Sequence, residues 1–445
     1  MKVGYAKANI NPPLDAPIVG YYEPRFVKGY LDDLYVKVVA FDDGGNKALI
    51  ITLDLCLLSE KYFNLIKERV VSECRVDKDS IFINLSHTHT GPTVGKDFAS
   101  TRESSPEYDS FLIDTISKTA KNAFEDLAEG IFQVAYSTAR NISFVRRYRM
   151  KNGYVATNPG VGNPQIDYAL AQPNESVEVV KILRKGKDDI CLFNFGTHPD
   201  TVGGEYISAD WMGYACENIE KALPKTNAVF LLGPQGDTNH VNVNPSKELE
   251  KLYKIDFDGV PRGIEYTKFM AKVLSDAVLS VYDSATEIKA DVISFSQKKI
   301  SLPSNQENDR YDEAKRIVDL YYQGRADELP FKEMELTTAI AEARRIVGLK
   351  NGPESFPYVL SVLKIGELVF AGVGGEPFTE IGTRIAENSP FSKTIVCCLT
   401  NNSSGYIPTS KAYDEGGYEA RGSSLKKGSD NILVEEMIKL LKSIQ

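Results

Sequence analysis

The chain has 445 residues, of which 42% are hydrophobic, and a formal net charge of −9. That length holds a large core, in one domain or up to about three. An acidic balance with no basic stripe argues against nucleic acid and anionic membrane as partners.

The opening Met1-Lys2-Val3-Gly4-Tyr5-Ala6-Lys7 moves straight into strand-like sequence, with no apolar h-region and no small-residue cleavage site. Ala48-Leu49-Ile50-Ile51-Thr52-Leu53-Asp54 reads as a buried strand with an acid at its end, in an apolar run too short to span a bilayer. Ile81-Phe82-Ile83-Asn84-Leu85 is a second strand and delivers His87 and His89. A helix is predicted from Pro106 to Glu129, with Phe111, Leu112, Ile116, Ala120 and Ala123 on its apolar side. Strands follow over 178–183 and 190–195. Ser208 or Asp210 is a candidate cap for a helix through Ala222. Residues 227–232 form another strand and 263–282 a helix. From about Asp291 to Pro353 the character changes: Arg310 to Gly348 is charged and helix-prone, with Leu320, Tyr321 and Tyr322 on one apolar side, and the stretch reads as a helical excursion from the main body. The sheet resumes over 358–373, a helix is expected from Glu376 to Ala386, a strand over 394–399 and a last helix over 431–444. Alternating strands and helices without a Pro/Gly/Ser linker predict an α/β fold of mixed sheets flanked by helices, a single domain over 1–445. Six scattered cysteines, Cys56, Cys74, Cys191, Cys216, Cys397 and Cys398, show no C-x-x-C pair, which favours free thiols and a cytoplasmic setting.

The chain has four histidines, and each ends or follows a strand-like run. His87 and His89, in Ser86-His87-Thr88-His89-Thr90-Gly91-Pro92, have i, i+2 spacing, so an extended backbone points both to one face. Both can ligate one metal, or one can ligate while the other handles protons. His198, in Gly196-Thr197-His198-Pro199-Asp200, sits at another strand tip. His240 ends Gly236-Asp237-Thr238-Asn239-His240, which reads better as a plain turn than as part of a site. Glu376, in Gly374-Gly375-Glu376-Pro377-Phe378-Thr379, can complete a zinc shell or stabilise the helix that follows it. Tyr406, Tyr413 and Tyr418 are phenols able to donate to an oxyanion.

Five of these segments, in the same order, resemble the neutral ceramidases: the opening Val3-Gly4-Tyr5-Ala6-Lys7-Ala8-Asn9-Ile10-Asn11-Pro12-Pro13, residues 86–92, Thr197-His198-Pro199, residues 375–379, and Gly405-Tyr406 through Tyr418-Glu419. The resemblance covers most of the chain and is weakest over 291–353. It implies a ceramidase-like catalytic domain with one zinc ion held by His87, His198, Glu376 and Tyr406. It implies that His89 is an active-site histidine that does not ligate, that Tyr418 lies near the scissile carbonyl, and that Arg146, or its neighbour Arg147, serves there too. Secreted members carry a signal and a C-terminal immunoglobulin-like domain that are not seen here, so the expected substrate is a smaller, soluble amide, ester or lactam. The expected partner is that small molecule, with no stable membrane association and no oligomeric state indicated. Two other readings compete. A metal-dependent amidohydrolase barrel would recruit His198, His240 and Asp54 or Asp237 and requires eight regular strand–helix units. A non-catalytic binding protein on the same fold is the third.

Overall fold

The computed structural model describes residues 1–96, 103–331 and 333–445. Its main sheet runs, edge to edge, Thr226–Leu232, Asp189–Phe195, Ser176–Arg184, Ala128–Thr138, Lys2–Asn9, Tyr35–Asp42, Lys47–Leu53 and Ile81–Leu85, with Thr286–Ile288 also paired to Ala128–Thr138. The outermost pair at each end is parallel and the pairs between them are antiparallel. This mixed order rules out the amidohydrolase barrel, whose strands are all parallel.

Alternation along the strands builds four layers. In Lys47–Leu53, Leu49, Ile51 and Leu53 point to one face and meet the helices Glu60–Cys74, Pro106–Glu125, Asp210–Ala222 and Ile264–Tyr282. Ala48 and Ile50 point to the other face and meet a second sheet, ordered Ile293–Pro303, Ser355–Ile365, Leu368–Val373, Lys393–Cys397. Phe41, Phe82, Phe132 and Phe370 fill the space between the sheets. The far side of the second sheet is covered by the helices Thr379–Asn388 and Ser429–Lys442.

The main sheet curls until its two edges almost meet, and the gap is stitched by side chains and by residues 398–401. The Asn84 carboxamide accepts the Leu232 N–H (2.9 Å) and donates to the Cys398 carbonyl (2.7 Å). Cys398 N–H bonds back to Leu232 O (3.0 Å), and Leu85 N–H to Leu399 O (3.3 Å). The loops after Ile81–Leu85, Asp189–Phe195 and Thr226–Leu232 therefore open at one place. All six cysteines are free, and only Cys74 is not buried.

Several elements differ from the sequence expectation. The helix from Pro106 ends at Glu125, because the Asp126 carboxylate takes the Tyr5 N–H (3.1 Å) and Lys187 (2.8 Å), and Ala128 already pairs as strand. The region 291–353 is not helical throughout: Ile293–Pro303 is a strand of the second sheet, and the helices are Tyr311–Tyr322 and Glu333–Lys350, residue 332 lying outside the described residues. These two helices pack on each other through Ile317, Leu320, Ala343 and Ile346. Tyr321 and Tyr322 are exposed beside buried Leu320, since successive helical residues step about 100° around the axis. Helix Asp210–Ala222 starts at Asp210, whose N–H bonds the Ser208 hydroxyl (3.0 Å). Glu376 and Pro377 form a two-residue strand and the helix starts only at Thr379.

Candidate metal centre

His87 follows the strand Ile81–Leu85 in a left-handed backbone conformation (φ 66°), uncommon for a residue with a Cβ and held by the bond from its N–H to Leu55 O (2.9 Å). Its Nδ1 lies 2.8 Å from the Cys56 carbonyl oxygen, which can only accept, so Nδ1 carries the proton. Nε2 is then the working atom, and it faces Glu376 Oε2 at 3.3 Å. Burial opposes a charge on His87, yet Cys56 and Glu376 outweigh it and push the imidazole well above its ordinary value. Burial likewise opposes charge on Glu376, but His87 and the Gln235 amide hold the carboxyl below its usual range.

His198 enters from the end of Asp189–Phe195, with its N–H on Thr238 O (3.2 Å). Its Nδ1 faces the Gln235 side-chain oxygen and lies 4.0 Å from Glu376 Oε2; the Gln235 amide nitrogen donates to the same carboxylate oxygen (3.2 Å). Burial, then Arg146, push His198 well below its ordinary value, so it is a neutral donor. His87, His198 and Glu376 each offer a ligand atom within 4.8 Å of the others, all buried. Two imidazoles and a carboxylate are a donor set that suits zinc.

Glu376 is brought in by its pairing with Tyr406. The strands Glu376–Pro377 and Tyr406–Ile407 are parallel with Glu376 opposite Tyr406, and Glu376 N–H bonds Gly405 O (2.9 Å). The Tyr406 ring lies 6.5 Å from that of His198 and 6.0 Å from that of Tyr418. The close approach of Gly236 completes this corner: a Cβ there would lie 2.4 Å from the Glu376 carbonyl oxygen.

The Arg146 guanidinium sits 5.2 Å from the Tyr406 ring centroid, with Nε on Glu419 (2.7 Å) and Nη2 on Gly236 O (2.8 Å). Arg147 turns away, to Glu415 (3.2 Å), Gly416 O (2.7 Å) and the Phe378 ring. Of the two arginines, Arg146 is the one at the site. Tyr418 meets Tyr22 hydroxyl to hydroxyl (3.3 Å), and burial pushes its phenol well above the ordinary value.

His89 closes the triangle of imidazoles, its ring 4.9 Å from each of the other two, with Nε2 3.4 Å from His87 Nε2. Burial pushes it down to about 3, against the pull of Asp200, so it is neutral near pH 7. Cys56, His87 and His89 form a second group of ligand atoms at metal-binding spacing, sharing His87 with the first.

All seven residues singled out from the sequence, His87, His89, Arg146, His198, Glu376, Tyr406 and Tyr418, thus meet in one place. Other candidates do not. His240 Nε2 bonds Pro261 O (2.7 Å) and its ring packs on Tyr266. Asp54 accepts the Tyr35 N–H (2.9 Å) and Tyr413 bonds Ser423 (3.1 Å). Asp237 accepts both the N–H (2.7 Å) and the hydroxyl (2.8 Å) of Thr379, so it caps the helix that Glu376 was considered for. Gln235, Cys56 and Asp200 were not picked out by sequence reasoning. Asp200 stood in the His198 motif; Gln235 and the Cys56 carbonyl carry no local signal, because only tertiary proximity makes them partners.

The chain matches no protein-family model. Among solved structures it superposes on neutral ceramidase from Pseudomonas aeruginosa with a TM-score of 0.71 at 15% identity, over 100% of this chain and 75% of that one. It superposes on a ceramidase complexed with C2 with a TM-score of 0.73 at 13% identity, over 99% of this chain and 74% of that one. At these identities the likeness shows a shared fold: a mixed α/β architecture of the neutral ceramidase type.

Proposed function

We propose that this chain is a zinc-dependent amide hydrolase acting on a small N-acyl compound, and that its described elements form one catalytic domain. The observation that carries the reading is the buried cluster of His87, His198 and Glu376, whose ligand atoms lie within 4.8 Å of one another on a fold shared with ceramidases. The donor set fits zinc: a buried carboxylate faces two histidine edges, while Arg146 already has Glu419 as its partner at 2.7 Å. His87, His198, Glu376 and Tyr406 would hold the ion, which when bound supplies a polarised carbonyl and a water of lowered pKa.

The other side chains divide the remaining work. His89, neutral and edge-on to His87, takes the proton from the attacking water and passes it to the departing amine nitrogen. Arg146 keeps its charge beside Tyr406, held by Glu419 and Gly236, and faces negative charge that builds on the carbonyl oxygen. Tyr418, with a phenol kept protonated by burial, donates a hydrogen bond to the same oxygen. His87, His89 and His198 are all under 10% exposed, which favours a slender substrate over a bulky one.

The test is metal analysis of the purified protein together with hydrolysis assays on ceramide micelles and on soluble N-acyl compounds, esters and lactams. One zinc per chain and turnover of soluble amides above ceramide is the expected result. Full activity in metal-free protein overturns zinc dependence; a strong preference for ceramide overturns the substrate class.

A further inference from the structure

The mechanism above leaves the outer edge of His89 unexplained. Its Nδ1 is buried and has no hydrogen-bond partner among the described residues. Asp200 Oδ1 lies 3.9 Å from it. That distance exceeds a hydrogen bond, but a carboxylate so close in a buried site still orients an N–H dipole strongly.

Asp200 is itself held on every side. Arg262 donates Nε to Oδ1 (3.1 Å) and Nη2 to Oδ2 (2.7 Å), and the Tyr21 hydroxyl bonds Oδ1. Arg262 is fixed in turn by Asp258 (2.7 and 2.8 Å) and Asp256 (3.1 Å). The His89 ring is gripped as well: Tyr21 lies edge-on at 5.7 Å, Arg25 binds the His89 carbonyl (2.7 Å), and at Gly20, whose φ is 122°, a Cβ would come within 3.0 Å of the ring. So the imidazole plane is set by packing, and what remains free is which nitrogen bears the proton.

We propose that Asp200, clamped by Arg262, is the positioning residue of His89: it fixes the tautomer with the proton on Nδ1 and leaves the Nε2 lone pair bare toward His87 and the reacting centre. This rests on the reading of His89 as the proton-transfer group. A histidine that must accept a proton through Nε2 is inactive with its proton already there, and a carboxylate behind Nδ1 is the simplest device that prevents it. The Asp200–Arg262 unit is assembled from the loop after Asp189–Phe195 and from residues 256–262, outside the metal-ligand set.

The experiment is nitrogen NMR of zinc-loaded protein labelled with 15N-histidine, where four histidines give four ring systems and His89 is identified by its loss in His89→Ala. The wild type is expected to show His89 protonated on Nδ1. Asp200→Asn keeps the size and removes the charge behind Nδ1; since Arg262 donates to both carboxylate oxygens, the amide gives up one of those bonds whichever way it turns, and with its nitrogen in the Oδ1 position it presents a donor to Nδ1. That variant is expected to keep its zinc and its fold, move the His89 proton to Nε2, and lose at least roughly a hundredfold in kcat with KM little changed. A wild-type His89 protonated on Nε2 overturns the proposal, and needs no variant to fold. So does an Asp200→Asn protein with an unchanged tautomer, or one whose loss lies in KM alone. If no substrate is hydrolysed at all, the proposed function fails while the wild-type tautomer is still read.

Discussion

His87 and His198 face Glu376 with their nitrogens at 3.3 and 4.0 Å, whereas His89 turns its Nε2 toward His87 and its Nδ1 toward Asp200. Replacing His87 or His198 by alanine is therefore expected to abolish stoichiometric zinc, while His89→Ala keeps zinc and loses on the order of 10²–10⁴ in turnover. Zinc content by atomic emission beside kcat separates the two; equal loss of metal in all three variants makes His89 a ligand. Gly236→Ala tests the corner from outside the ligand set. The added methyl would sit 2.4 Å from the Glu376 carbonyl, so the carboxylate must shift, and zinc affinity is expected to fall more than melting temperature does. At this scale the sequence was informative wherever a rare residue stood after an apolar run: histidine at 87, 89 and 198, glutamate after Gly374-Gly375. It was silent on Gln235 and Cys56, since a glutamine in a loop or a backbone carbonyl looks like any other until the fold brings it to His198 or His87.

Short apolar strands were readable because both of their faces are buried; Ile81–Leu85 and Asp189–Phe195 lie where the apolar runs are. Helix ends and the character of 291–303 were not, because distant partners decide them: Asp126 stops one helix by binding Tyr5 and Lys187, and Ile293–Pro303 pairs with Ser355–Ile365 along its whole length. No sequence pattern announces that the main sheet curls shut, yet this closure is what makes the site. Asn84→Leu tests it. The variant strands the Leu232 N–H in the interior, at a cost of about 1–3 kcal/mol, while the Cys398 carbonyl keeps the Thr400 hydroxyl (3.0 Å) as its donor. A urea titration is expected to show a lower midpoint with an unchanged slope, and zinc affinity is expected to weaken in parallel as the two edges part.

The layers are joined by a charged residue at an unusual place. Lys67, on the helix Glu60–Cys74 and 4% exposed, reaches Gln297 Oε1 on the second sheet (2.8 Å). Burial lowers its pKa from 10.5 to about 7, with Asp79 pulling the other way. Between those two values the unfolded chain binds a proton that the folded protein does not, so this lysine's contribution to stability rises with pH from about 7 to 10.5. Lys67→Met is accordingly expected to be more stable than wild type at pH 7, with an advantage that shrinks by a few kcal/mol toward pH 10, at about 1.4 kcal/mol per pKa unit. Denaturant titrations of both proteins across that range decide it, and a constant difference refutes the assignment.

The two-residue ladder that sets Glu376 beside Tyr406 has a consequence for the order of events during synthesis. The cluster draws on residues from His87 to Glu376 with Tyr406 beside it, and the Glu376 backbone is set by the last strand pairing among the described residues. A growing polypeptide can bury its main sheet and helices early, but until Ile407 has emerged from the ribosome it presents only an imidazole cluster open on one side. On the proposed metal-binding role, a chain that stops short of Ile407 is expected to carry the imidazoles without a fixed carboxylate and to bind zinc weakly.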